Sequence, residues 1–176
     1  MALALTVCAL PVAAQAPSKR LVHFSVTDRL NCFVTGLDQK IFEVLENGVH
    51  RPVTGFWDGD SPVALAIVSE SPLAEAINFN RADDELIQTR SVADALRQLS
   101  VAKNARKIMV VSTAFDTQAV PGGIQVMKVN PDILIKAVVD AHNQYWLQFE
   151  SGSTSADIEV VVQQPQGLPP LRVHVD

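Results

Sequence analysis

The chain is poor in cysteine, in aromatic residues and in basic charge, and each shortage excludes a class of function. Cysteine occurs twice in 176 residues, as Cys8 and Cys32. If the N-terminal stretch is cleaved, as argued below, Cys32 stands alone, so no intramolecular disulfide and no Cys-x-x-Cys metal or redox pair can form. Next to Phe33-Val34, it is expected to be a buried small hydrophobe. The four histidines, His23, His50, His142 and His174, lie far apart, with no His-x-x-x-His spacing to set two imidazoles on one helix face. Lys and Arg number 14 against 19 Asp and Glu, a net charge of -5, and the basic pairs are Lys19-Arg20 and Arg106-Lys107. Nucleic acid and anionic membrane need a concentrated basic surface, so neither is expected as a partner. There is no phosphate-cradling Gly-rich loop and no Gly-x-Ser-x-Gly elbow.

What is present is an ordinary globular composition, 48% hydrophobic and 19% charged, enough for a core without staples. Its centre is Val63-Ala64-Leu65-Ala66-Ile67-Val68, between Ser61-Pro62 and Ser69-Glu70-Ser71-Pro72. Six apolar residues between turn signals predict a strand buried on both faces, as in the middle of an α/β sheet. Ser71 as N-cap and Pro72 in the first helical position predict a helix over 71–79. Ligands of open α/β sheets bind beyond the carboxyl ends of the strands, which directs attention to the Ser-Glu-Ser turn.

Residues 1–16 read as a separate segment. They are apolar and rich in small residues, and Ala14-x-Ala16 is the small-x-small pattern of signal-peptide cleavage. A membrane span needs about 20 residues, and Pro11 and Pro17 interrupt this stretch. An exported protein, periplasmic or extracellular, with no membrane span after signal removal, is therefore expected.

The mature chain divides by pattern. Residues 21–28 alternate as a half-buried strand, 32–34 make a short return, 37–40 one helical turn, and 41–46 a strand. Asn47-Gly48 is a two-residue hairpin signal, with 49–57 expected as the returning strand. From Pro62 onwards strand-then-helix units follow. Residues 83–102 read as mostly helical, with Asp83-Asp84-Glu85 as an acidic first turn and Ser91-x-x-Asp94 as an internal capping box. A strand at 107–112, a loop at 113–123, an extended 124–129, a helix from Asn130-Pro131 to about 143, and strands at 145–150, 158–163 and 171–175 complete the chain. Asp58-Gly59-Asp60 reads as a solvated turn, and Trp57 and Trp146 as core.

The run Val26-Thr27-Asp28, Val34-Thr35-Gly36-Leu37, Phe42-Glu43-Val44-Leu45-Glu46-Asn47-Gly48 and Pro52-Val53-Thr54-Gly55-Phe56 resembles the opening of the secreted bacterial von Willebrand factor A-related (VWFA-related) proteins. Arg106-Lys107-Ile108-Met109-Val110-Val111-Ser112 resembles the strand before that family's Ser-Asp-Gly loop, and Tyr145-Trp146-Leu147-Gln148-Phe149 its late Tyr-x-Leu-x-Tyr strand. The resemblance implies an α/β fold, an abbreviated vWA/Rossmann-like three-layer sheet with antiparallel strands at the N- and C-terminal ends. After the signal peptide read over 1–16, it also implies an N-terminal β-hairpin region over 17–60 and a shortened vWA-like domain over 61–176, with 17–176 as one globular unit.

The family's metal site (MIDAS) takes Asp-x-Ser-x-Ser after the first strand, a Thr from a second loop and an Asp from a third, a set of hard oxygen ligands suited to a divalent ion. Carried onto this chain, Ser69 and Ser71 match the serines, but the Asp position is Ile67. Arg90 stands where the Thr belongs, beside Thr89, and Thr113 replaces the Asp of the third loop, with Asp116 three residues on. The resemblance thus implies a degenerate MIDAS formed by Ser69, Glu70, Ser71, Thr89, Arg90, Thr113 and Asp116. The expected function is an exported, non-enzymatic protein-binding or scaffolding module with no metal and no cofactor. The alternatives are a Mg²⁺- or Ca²⁺-dependent adhesion domain using Ser69, Ser71 and Glu70 or Asp116, and a small serine hydrolase built on Ser69.

Overall fold

A computed structural model describes residues 18–71, 73, 81–117, 120–121, 123–152 and 157–175. Among these residues the fold mixes helix with one parallel and two antiparallel sheets. The parallel sheet is built on β5, Val63–Val68, whose six residues are all buried. β6 (Glu85–Thr89) flanks it on one side and β7 (Arg106–Ser112) on the other, with β8 (Gln125–Val129) beyond β7.

Alternation along β5 sends its side chains to two different cores. Val63, Leu65 and Ile67, with Ile108 and Val110, pack with Leu134, Ala137, Val138 and Ala141 of helix α2, Leu134–His142. Ala64, Ala66 and Val68, with Met109 and Val111, pack with Ala95 and Leu99 of helix α1, Val92–Val101. Each fully buried Leu or Ile in these layers contributes about 1.5–3 kcal/mol.

A four-stranded antiparallel sheet places β1 (Ser18–Thr27) between β11 (Arg172–Val175) and β9 (Gln144–Ser151), with β4 (Val53–Trp57) outside β9. A smaller one orders β10 (Ile158–Val162), β2 (Phe42–Glu46) and β3 (Val49–Arg51). Phe24, Val26, Tyr145, Leu147 and Phe149 of the first pack with Phe42, Val44 and Val160 of the second. The Tyr145 hydroxyl donates to the Val34 carbonyl (2.9 Å) and accepts from the Leu37 N–H (3.2 Å). Burial nonetheless pushes its pKa up to about 12. The next residue along β9, Trp146, turns the other way and joins the core under α2. β9 thereby binds the two halves of the molecule.

Several expectations need correction. The strand expected over 49–57 is two strands in two sheets, because Pro52 has no N–H to continue the ladder. The helix expected over 83–102 is mostly replaced by β6, and only α1, beginning at Val92, is helical. Leu86 packs towards the α2 core and Ile87 towards the α1 core, so the segment follows a period of two that its Asp-Asp-Glu-Leu composition conceals. Ser91 caps α1, its Oγ accepting from the Asp94 N–H at 3.3 Å, but the expected box is only half formed, because the Ser91 N–H donates to Thr89 Oγ1 and the Asp94 carboxylate pairs with Arg97. Cys32 is exposed, because residues 28–32 form a projecting turn in which Asp28 Oδ1 accepts from the Leu30 and Cys32 N–H groups. The return expected over 32–34 is a single bridge, Thr27 to Phe33. Asn130 makes no side-chain cap bond, and α2 is preceded by a 3-10 turn, Pro131–Ile133. The hairpin matches expectation, with Asn47 and Gly48 at φ 51° and 75°. Most of the helix expected over 71–79 lies outside the described residues.

Candidate functional site

The strand order β6-β5-β7-β8 creates a switch point, since the chain leaves β5 for one flank and then crosses back to the other. Strand-end loops diverge at such a point, between β5 and β7, and leave a crevice. A cleft of about 280 Å³ occupies it, lined by Ser69, Glu70, Ser71 and Leu73 after β5, Ser112 and Ala114 after β7, and Pro131 and Leu134 at the start of α2.

Ser69 is 7% exposed and its polar atoms are already engaged. Its N–H donates to the Thr89 carbonyl (3.1 Å), and its Oγ donates to the Ser71 carbonyl (2.5 Å). These bonds fold the loop over its own strand end, an ST-type turn that satisfies backbone groups cut off from the sheet. Gln88 brackets the next part of the loop: its Oε1 accepts from the Leu73 N–H (2.8 Å) and its Nε2 donates to the Leu73 carbonyl (3.2 Å). Ser112 Oγ accepts from the Ala114 N–H at 3.4 Å. Glu70 and Ser71 are exposed at the rim.

Of the residues named from sequence, Ser69, Glu70 and Ser71 meet in this cleft. Thr89 and Arg90 line a neighbouring hollow of about 130 Å³ together with Ser69 and Gln88. Thr89 Oγ1 accepts from the Ser91 N–H (3.1 Å), which ties that loop to the start of α1. Thr113 and Asp116 line neither space; Thr113 is turned towards β8, its N–H donating to the Val129 carbonyl (2.9 Å) and its Oγ1 to Asn130 Oδ1 (3.4 Å). Ile67, at the position of the family's metal-binding Asp, is 1% exposed and belongs to the core with Leu65, Val110 and Leu134. Among the described residues no group of three His, Cys, Asp or Glu is placed to hold a metal ion. Gln88, Leu73 and Pro131 were not foreseen as part of the site. No local pattern marks Gln88, which stands between Ile87 and Thr89 in a strand that also begins with Glu85; its role depends on the Leu73 backbone it meets across the loop.

The opposite end of the parallel sheet holds a buried polar cluster. Arg106 is fully buried; its Nη1 donates to the Ser61 carbonyl (2.6 Å), and its Nη2 to the carbonyls of Ala141 (3.1 Å) and Gln144 (3.0 Å). Burial, then the charge of Arg81, lowers its pKa to about 10, against the opposing pull of Asp84, Asp58 and Asp60. The Asp58-Gly59-Asp60 turn is not fully solvated as expected: Gly59 is buried and its carbonyl accepts from Arg81 Nη1 at 2.5 Å. Asp84 is likewise no helical first-turn residue but a buried acceptor for the Val63 N–H (2.9 Å) and the Arg81 N–H (3.0 Å).

Comparison with protein-family models, curated proteins and solved structures finds no match.

Proposed function

We propose that the chain is an exported, non-enzymatic binding module of vWA-like, three-layer design that takes a protein partner at the carboxyl ends of its parallel strands, without a metal ion. The observation that carries this reading is the switch-point cleft, where Ser69, Glu70, Ser71, Ser112 and Ala114 from two strand ends face Pro131 and Leu134. Its lining mixes small polar groups, one carboxylate and an apolar floor, a combination suited to an inserted side chain. The residue that would carry the metal's main charge is Ile67, held in the core. The small hydrolase reading has less support, since Ser69 Oγ donates to a carbonyl of its own loop and no histidine among the described residues lines the cleft. Resemblance to the VWFA-related proteins supports the fold family, and the small-x-small pattern at Ala14-x-Ala16 supports export.

The test couples capture to cleft mutation. The chain, immobilised and exposed to an exported proteome, is expected to retain one partner in EDTA and to lose it when Ser71→Arg and Ala114→Arg block the cleft. Thermal-shift titrations with Mg²⁺, Mn²⁺ and Ca²⁺ should leave the melting temperature unchanged. A stabilisation by one of these ions that Glu70→Ala abolishes would replace this reading with the metal-dependent adhesion domain, because Glu70 is the carboxylate on the cleft among the described residues.

A further inference from the structure

We propose a second binding site: a polar pocket between the antiparallel sheet and α2 that takes a neutral, polyhydroxylated ligand of about one pyranose ring. It encloses about 290 Å³ where β11, β1 and β9 meet α2 and β8, at the small end of the range of about 300–1,000 Å³ usual for ligand pockets. Its floor is a row across three strands. Ser25 stands opposite His174 of β11 and opposite Gln144 of β9, so the three side chains share one face, with Thr27 next along β1. Further along, the same face carries Leu21 and Trp146, which pack into the core under α2. Apolar side chains at 25, 27 and 144 would extend that core, yet these positions are polar, and Thr27 and Gln144 are only 6% and 2% exposed. A buried polar floor where a core would stabilise more is the kind of departure from patterning that marks a site.

Other elements complete the pocket. Lys136 and Asp140, one turn apart on α2, line it as an ion pair at 2.6 Å. Thr27 Oγ1 lies 3.0 Å from His174 Nε2, which ties β11 to the floor. Asn31 and Phe33 form the outer rim. They are held there by the 28–32 turn, in which Asp28 Oδ1 accepts from the Leu30 and Cys32 N–H groups, and by the bridge from Phe33 to Thr27. Two further atoms show that the seam between the sheets is polar. His23 Nε2, on the β1 face two residues before Ser25, and Gln125 Oε1, on the β8 face two residues before Met127, are buried with no hydrogen-bond partner among the described residues.

Charge selects the ligand first. Lys136 and Asp140 cancel, and no other Asp, Glu, Lys or Arg among the described residues lines the pocket. An anion must compete with Asp140 for Lys136, and a cation with Lys136 for Asp140, so neither finds a free counter-charge. An apolar ligand would cover hydroxyls, amides and the ion pair without replacing their bonds to water, at about 1–3 kcal/mol for each group left unsatisfied. Hydroxyl groups match this lining, because each donates one hydrogen bond and accepts two. They accept from Lys136 and the amide N–H groups of Asn31 and Gln144, and donate to the Asp140 carboxylate. A pyranose also has an apolar C–H face, and Phe33 and Met127 supply the surface that meets it. Phe33 is 37% exposed, an aromatic ring left open at the rim. The pocket shares no lining residue with the Ser69 cleft and does not depend on it.

The probes are the methyl pyranosides of D-glucose, D-mannose and D-galactose, each titrated into the isotope-labelled full chain with backbone amide shifts followed by NMR. At least one is expected to saturate with a millimolar Kd and to shift the amides of Thr27, Phe33, Asp140 and Gln144. Asp140→Asn, which keeps the shape of the side chain, and Phe33→Ala, at the exposed rim, should each weaken that probe by about tenfold or more while the rest of the amide spectrum stays in place. The uronic acid of the bound sugar should bind about tenfold more weakly than the neutral ring, because its carboxylate meets Asp140. Ser71→Arg with Ala114→Arg, which blocks the strand-end cleft, should leave sugar binding unchanged, so the two sites are read separately. Three silent titrations up to about 100 mM, shifts confined to residues outside the pocket, tighter binding of the uronic acid, or full affinity in either pocket variant would each overturn the proposal.

Discussion

Asp84 and His142, 58 residues apart in sequence, meet in the interior, with His142 Nε2 donating to Asp84 Oδ2 at 3.0 Å. Their side chains are 1% and 6% exposed, so the contact operates with little screening by water. His142 Nδ1 lies 2.8 Å from the Val138 carbonyl, one turn back in α2, while Asp84 also accepts from the N–H that opens β5. The pair thus locks the end of α2 to the start of the central strand. Asp84→Ala strands three donors, those of Val63, Arg81 and His142. We expect it to lower stability by about 3–5 kcal/mol, read as a lower urea midpoint with unchanged slope.

His23 governs stability on the weakly acidic side. Burial, then the charge of Arg106, lowers its pKa from 6.5 to about 4. The unfolded chain therefore binds the proton more readily between these values, so stability present above pH 6.5 is lost as pH falls towards 4. Thermal melts across this window should show a fall that His23→Gln flattens.

Glu46 acts at lower pH. Its carboxylate is 1% exposed and accepts from Ser151 Oγ, from the Gly152 N–H (3.2 Å) and from Arg51 Nη2 (2.6 Å). The Ser151 hydroxyl, then the Gly152 N–H and Arg51, hold its pKa below the usual glutamate range against the upward push of burial. Its contribution is present above that range and is lost as pH falls through the lowered value. Ser151→Ala should raise the pH at which acid unfolding begins, measured by far-UV circular dichroism.

Gln88 sets the shape of the strand-end cleft through its two bonds to Leu73. Gln88→Leu keeps much of the volume but leaves the Leu73 N–H and carbonyl without that clamp. A loss of about 1–2 kcal/mol in stability is expected, from denaturant midpoints. Exchange at the Leu73 amide should accelerate more than the global change explains.

Local chemistry made much of this molecule legible in its sequence. The apolar run of β5, the Asn47-Gly48 hairpin, the Ser91 cap and the strand β7 each depend on residues that are neighbours along the chain, so turn, cap and periodicity rules reach them. The meeting of Ser69, Glu70 and Ser71 at a strand end was legible for the same reason, since a strand and its following turn are contiguous.

Only tertiary structure decided the rest. Glu85–Thr89 became a strand because β5 offered an open ladder and two cores offered pockets for Leu86 and Ile87, and no local propensity encodes either. Cys32 is exposed because the 28–32 turn projects, although its neighbours in sequence are apolar. Thr113 faces Asn130 instead of the cleft, and Gln88 reaches Leu73, because loop directions are set by bonds between separate strand ends. The sequence by itself determined where the chain extends, turns and starts α1. Which strands pair, and so which polar groups are buried together, depended on contacts between segments far apart in the chain, and their free energy exists only once the sheets have formed.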